Sequence, residues 1–84
     1  MKRVWIFEED LTEEGSTSVD IEVFRDETKA REYFQKRKKA ILSNAKNDGW
    51  SEIIEGVDSL RLIMRDEDDV TAEFYYRIYS RPVQ

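Results

Sequence analysis

Between Asp26 and Gly49 apolar side chains recur at helical spacing. Stepping about 100° per residue from Ala30 brings Phe34, Ile41 and Ala45 to one side, with Tyr33 flanking them. Lys29, Glu32, Lys36, Lys39 and Lys46 fall on the other side. An apolar stripe of that width predicts a long helix packed on one face. Asp26 is suited to cap its start, because a carboxylate can accept from the unpaired amides of the first turn. Glu27 and Lys46 place charge of the favourable sign near the two ends. Gly49 can adopt the left-handed conformation that closes a helix, which would return Trp50 over Ala45. Arg37 interrupts the stripe between Phe34 and Ile41. The reading preferred here packs its stem and lets the guanidinium reach water, since fully buried arginine is rare. The alternative is a buried pair with a carboxylate or a ligand anion.

On either side of the helix the period changes to two. Arg3 to Glu8 holds four consecutive bulky apolar residues, Val4 to Phe7, which suits a central strand with apolar side chains on both faces. Asp10 to Ser16 reads as a polar loop turning at Gly15. Thr17 to Phe24 alternates, with Val19, Ile21 and Val23 on one face and Asp20, Glu22 and Phe24 on the other. These two strands are expected to form an antiparallel hairpin.

After the helix, Trp50 to Glu55 reads as a short strand, followed by a tight turn over Glu55-Gly56-Val57-Asp58. Gly56 suits the first central position of a type II′ turn. Ser59 to Arg65 turns Leu60, Leu62 and Met64 inward, and Thr71 to Tyr79 turns Ala72, Phe74, Tyr76 and Ile78 inward. Joined by a charged loop, Asp66 to Val70, and paired with Arg65 opposite Thr71, they match Leu62 with Phe74, Met64 with Ala72 and Leu60 with Tyr76. Pro82 stops the last strand, because it cannot donate to a ladder, and residues 81–84 read as a short flexible tail.

The fold expected is therefore α+β: a single domain, residues 1–84, with one long helix on one face of a five-stranded, mostly antiparallel sheet, in the order β-β-α-β-β-β. The first strand belongs mid-sheet beside the last. Whether it turns Trp5 and Phe7 or Val4 and Ile6 toward the helix is not decided by the pattern.

One helix covers one face. The other is expected to carry Phe24, Ile63, Tyr75 and Tyr79 interleaved with Arg61, Arg65, Arg77, Asp20, Glu22 and Glu73. Contiguous exposed apolar surface marks interfaces, and tyrosine and arginine dominate binding hot spots. Phe24, Arg61, Ile63, Arg65, Tyr75, Arg77 and Tyr79 are thus the candidate interface residues. The competing view is an ordinary mixed surface, with tyrosines lying flat over charged neighbours. The partner expected is another protein or a second copy of the chain, since twofold homodimers are the commonest oligomers.

Charge adds a second candidate. The net charge is −5, yet the segment from Asp26 to Gly49 carries +3 and the remainder −8. The run Lys36-Arg37-Lys38-Lys39 makes Lys36, Lys38 and Lys39 candidate phosphate contacts. Against nucleic acid stand the acidic body and the placing of the basic run opposite the aromatic face. A third reading makes the acidic body an inhibitor that imitates a phosphate backbone.

Chemistry narrows the rest. The chain has no cysteine and no histidine, which removes disulfides, thiolate metal sites, cysteine nucleophiles and the commonest general base. The loop Asp66-Glu67-Asp68-Asp69 lacks the glycine and glutamate spacing of a calcium loop. No glycine-rich phosphate loop or nucleophile elbow occurs. No enzyme activity, metal or cofactor is expected. With no apolar run long enough to span a membrane, the expected location is cytoplasmic.

Overall fold

A computed structural model describes residues 2–83. Its elements are β1 (Arg3–Glu13), β2 (Ser16–Phe24), α1 (Glu27–Asp48), β3 (Glu52–Glu55), β4 (Ser59–Asp66) and β5 (Asp69–Pro82). The five strands form one sheet in the order β2-β1-β5-β4-β3, every neighbouring pair antiparallel, and α1 lies against β1, β2 and β5. The expected fold class is the one observed. No helix among the described residues is long and apolar enough to cross a membrane.

The helix ends are set as the sequence requires. The Asp26 carboxylate accepts from the backbone N–H groups of Thr28 at 2.8 Å and Lys29 at 3.3 Å. Gly49 closes the helix at φ 77°, a left-handed conformation that costs glycine little. Ala30, Phe34 and Ala45 are buried, with Tyr33, Ile41 and Leu42 partly so. Beneath them lie Phe7, Leu60, Leu62, Tyr76 and Ile78. Phe7 is the hub, its ring 5.2 Å from Tyr33, 6.0 Å from Phe34 and 6.5 Å from Tyr76 between centroids. Trp50 packs on Phe74 at 4.8 Å.

Burial of Phe7 settles the first strand. Trp5 and Phe7 face the helix, and Val4 and Ile6 turn to the uncovered face. The β1–β2 hairpin then carries that choice to its neighbour. The expected loop over Asp10 to Ser16 is mostly strand: β1 runs to Glu13, and Glu14 (φ 51°) and Gly15 (φ 82°) make a two-residue turn. That turn pairs Glu13 with Ser16, and so Trp5 with Phe24, Phe7 with Glu22 and Glu9 with Asp20. Opposed residues share a face, so odd-numbered β1 residues bring even-numbered β2 residues under the helix. Phe24 is therefore corrected from the uncovered face to the covered one, where its ring lies 5.2 Å from Tyr33. Asp20 and Glu22 move with it. Val19, Ile21 and Val23 take their place on the uncovered face.

Three further details depart from expectation. The β4–β5 pairings of Leu60, Leu62 and Met64 hold, but a bulge after Met64 sets Arg65 opposite Val70, not Thr71. Thr71 is left to donate its hydroxyl to the Met64 carbonyl at 3.2 Å. Gly56 is not at positive φ, so the turn there is not type II′; its N–H donates to the Ser59 carbonyl at 2.9 Å. Strand β5 also continues past Tyr79 to Pro82, because β1 offers partners as far as Arg3. Val83 donates to the Lys2 carbonyl, so residues 81–83 of the supposed tail are held, and Gln84 lies outside the described residues.

Candidate functional site

The uncovered face is assembled from side chains of all five strands, and the register fixes their rows. Val23, Ile6 and Tyr79 lie side by side; Ile21, Glu8 and Arg77 form the next row. Then come Val19, Asp10, Tyr75, Arg61 and Ile54, followed by Thr17, Thr12, Glu73, Ile63 and Glu52. Of the candidate interface residues, Arg61, Ile63, Arg65, Tyr75, Arg77 and Tyr79 share this face, and Phe24 does not.

Its two halves differ in chemistry. On the β5–β4 side the polar groups are engaged with one another. Arg61 lies 4.6 Å over the Tyr75 ring and Arg77 4.8 Å over that of Tyr79, with Arg81 5.2 Å from the same ring. Arg61 pairs with Glu73 at 3.3 Å and Arg65 with Glu52 at 3.2 Å. These two pairs bracket Ile63, which is only 8% exposed although no helix covers it. Long arginine stems shield apolar neighbours in this way. The view of tyrosines lying flat against charged groups describes this half.

The β2–β1 side is the opposite. Val19, Ile21 and Val23 are 58%, 56% and 56% exposed, in one row along β2, with Ile6 beside Val23. Sequence reasoning missed these residues because it left the loop before β2 open. A two-residue Glu14–Gly15 turn, recognised as such, would have tied the faces of β2 to those of β1 without deciding which face of either lies under the helix.

Between the halves sits an acidic pair. Glu8 accepts from the Tyr79 hydroxyl at 2.7 Å and from Arg77 at 2.9 Å. The Tyr79 bond first, and then the Arg77 contact, hold its carboxyl below the ordinary range, against the opposing effect of burial. Asp10, two residues on and on the same face, has one carboxylate oxygen buried without a partner. Burial chiefly, and the neighbouring Glu8, raise its carboxyl above the ordinary range.

On the covered side, Arg37 resolves as a mixture of its two readings. Its guanidinium is partly exposed and pairs with Glu9, whose carboxylate is largely covered. Of the basic run, Lys38 is drawn down: its side chain is 13% exposed, pairs with Glu55 at 3.3 Å and donates to the Gly56 carbonyl at 3.3 Å. Lys36 and Lys39 remain exposed on α1. The helix thus does not present the three lysines together to a phosphate backbone.

No protein-family model, characterised protein or solved structure matches this chain.

Proposed function

We propose that the chain is a small, non-enzymatic interaction protein whose contact surface is the uncovered sheet face, and that its occupant is a second copy of itself. The observation that carries this reading is the exposed row Val19, Ile21 and Val23, continued by Ile6. Three β-branched side chains exposed by more than half, in line on one strand, form the kind of contiguous apolar patch that marks an interface.

A twofold arrangement suits the distribution. Two faces packed with β2 over β2 place the aliphatic row of each copy against that of the other, as in a sheet-on-sheet sandwich. The arginine–carboxylate half then lies at the margin, where interfaces are polar and wet. The molecule measures 48 × 25 × 16 Å, so its broad face accommodates the roughly 800 Å² per partner of a standard interface. A cysteine-free chain requires no oxidising compartment, and a cytoplasmic location belongs to the same proposal.

The test is mass against concentration, by light scattering on a sizing column or by sedimentation. The expected result is twice the 10.1 kDa chain mass at high concentration, returning to monomer in Ile21→Lys. A monomer at millimolar concentration, or a dimer indifferent to Ile21→Lys, refutes it.

A further inference from the structure

The sheet has two outer edges, and they are not alike. β3 is four residues long, and its two glutamates are engaged by Arg65 and Lys38. β2 is nine residues long, exposed along nearly its whole length, and contains no proline or lysine. Its pairing with β1 runs from Phe24 to Ser16 without a bulge. Among the described residues it pairs only with β1, so its outer row of backbone N–H and C=O groups faces outward. Natural sheets shorten, bend or charge such edges, because they invite another strand.

The charges that β2 does carry are informative. Asp20 and Glu22 lie on the helix side of the strand, and neither forms an ion pair among the described residues. The helix does not close over them. A cleft of about 290 Å³ remains between β2 and α1, lined by Phe7, Glu9, Tyr33, Arg37 and the segment Asp20-Ile21-Glu22. On the other side of the same strand are Val19, Ile21 and Val23. A strand laid along this edge would meet carboxylates on one face and aliphatic groups on the other, in strict alternation.

A second copy of β2 is a poor fit. The antiparallel register that overlaps the whole strand is centred on Asp20 and sets Asp20 opposite itself. Moving the centre to Ile21 sets Asp20 opposite Glu22 twice. Like charges directly opposed destabilise a pair of strands. The same two carboxylates favour a strand with basic residues at those positions.

We propose that the outer edge of β2 accepts, as an added antiparallel or parallel strand, an extended segment of a partner protein in which apolar residues alternate with lysine or arginine. Main-chain hydrogen bonds would supply affinity, and the two-sided alternation would supply selection. This inference goes beyond the face-to-face dimer and does not depend on it, because the edge lies in the plane of the sheet and the face is perpendicular to it.

The probe is a fluorescent nine-residue peptide alternating valine or isoleucine with lysine, the length matched to β2, followed by anisotropy at low salt. One comparison peptide has the same composition arranged in an apolar and a basic block. Another keeps the alternation with glutamate in place of lysine. The alternating basic peptide should bind about tenfold or more tightly than either. New amide-exchange protection should fall within residues 16–24. Asp20→Lys with Glu22→Lys should reverse the preference toward the glutamate peptide; both positions are exposed, and circular dichroism verifies that the variant folds. If it does not fold, Asp20→Asn with Glu22→Gln should still weaken binding of the basic peptide. Absence of binding, equal binding of the block peptide, protection confined to α1, or an unchanged preference in the folded variant each overturns the proposal. None of these readouts reports on self-association, so failure here and failure of the dimer are distinguishable.

Discussion

Phe7 and Ile6 are neighbours in sequence and opposites in the fold, so replacing each by alanine measures which face of β1 the helix covers. Phe7 is 1% exposed and packs against the rings of Tyr33, Phe34 and Tyr76. Truncating a fully buried phenylalanine costs about 3–5 kcal/mol, combining lost transfer free energy with the cavity left behind. Ile6 is only partly buried, between Val23 and Tyr79 on the uncovered face, and its truncation should cost about 1 kcal/mol. A domain of 84 residues has about 4–13 kcal/mol in total, so Phe7→Ala removes a large share of its stability. In urea, with a slope of about 1.5 kcal/mol per molar, the Phe7→Ala midpoint should fall by about 2 M or more. The Ile6→Ala midpoint should move by well under about 1 M. Equal shifts, or a larger one for Ile6→Ala, would refute the arrangement. They would mean that Val4 and Ile6 face the helix. The hairpin register would then carry Val19, Ile21 and Val23 inward too, and the proposed contact surface would vanish with them.

The helix ends give two smaller and independent effects. Asp26→Ala should cost about 1 kcal/mol in urea or thermal unfolding, since two first-turn amides lose their acceptor. Gly49→Ala should cost about 1–2 kcal/mol although nothing lies within 4 Å of the added carbon, because the penalty comes from φ 77° and not from crowding. The acidic pair on the uncovered face predicts opposite pH dependences. Asp10 has a raised folded pKa, so its stabilising contribution is present in acid, below its unfolded pKa, and is lost as pH rises through the folded value. Asp10→Asn should therefore stabilise the protein near neutrality and give a shrinking advantage toward acid. Glu8 has a lowered folded pKa, so its contribution is present above its unfolded pKa and is lost as pH falls through the folded value. Glu8→Gln should destabilise near neutrality, with the deficit closing in acid. Urea midpoints taken across the acid range test both, and parallel curves for wild type and variants would show that neither carboxyl behaves as described.

The amino-acid sequence by itself determined the elements whose signals are local. Asp26 and Gly49 delimit α1 because capping is a matter of a few neighbouring backbone groups, and the inward set Leu60, Leu62, Phe74 and Tyr76 follows from alternation within two adjacent strands. It also placed six of the seven candidate interface residues on the same face, because β4 and β5 each alternate without ambiguity. Only the tertiary structure decided which way β1 turns. Its four apolar residues read the same from either side, and the choice is made by Phe7 fitting among Tyr33, Phe34 and Tyr76, residues far along the chain. That choice then passed through a two-residue turn to β2, bringing Phe24 partly under the helix and exposing Val19, Ile21 and Val23. A strand with apolar residues on one side and one aromatic among acids on the other has no fixed face of its own. Its neighbour supplies one, because side chains opposed across a pleated sheet must point the same way.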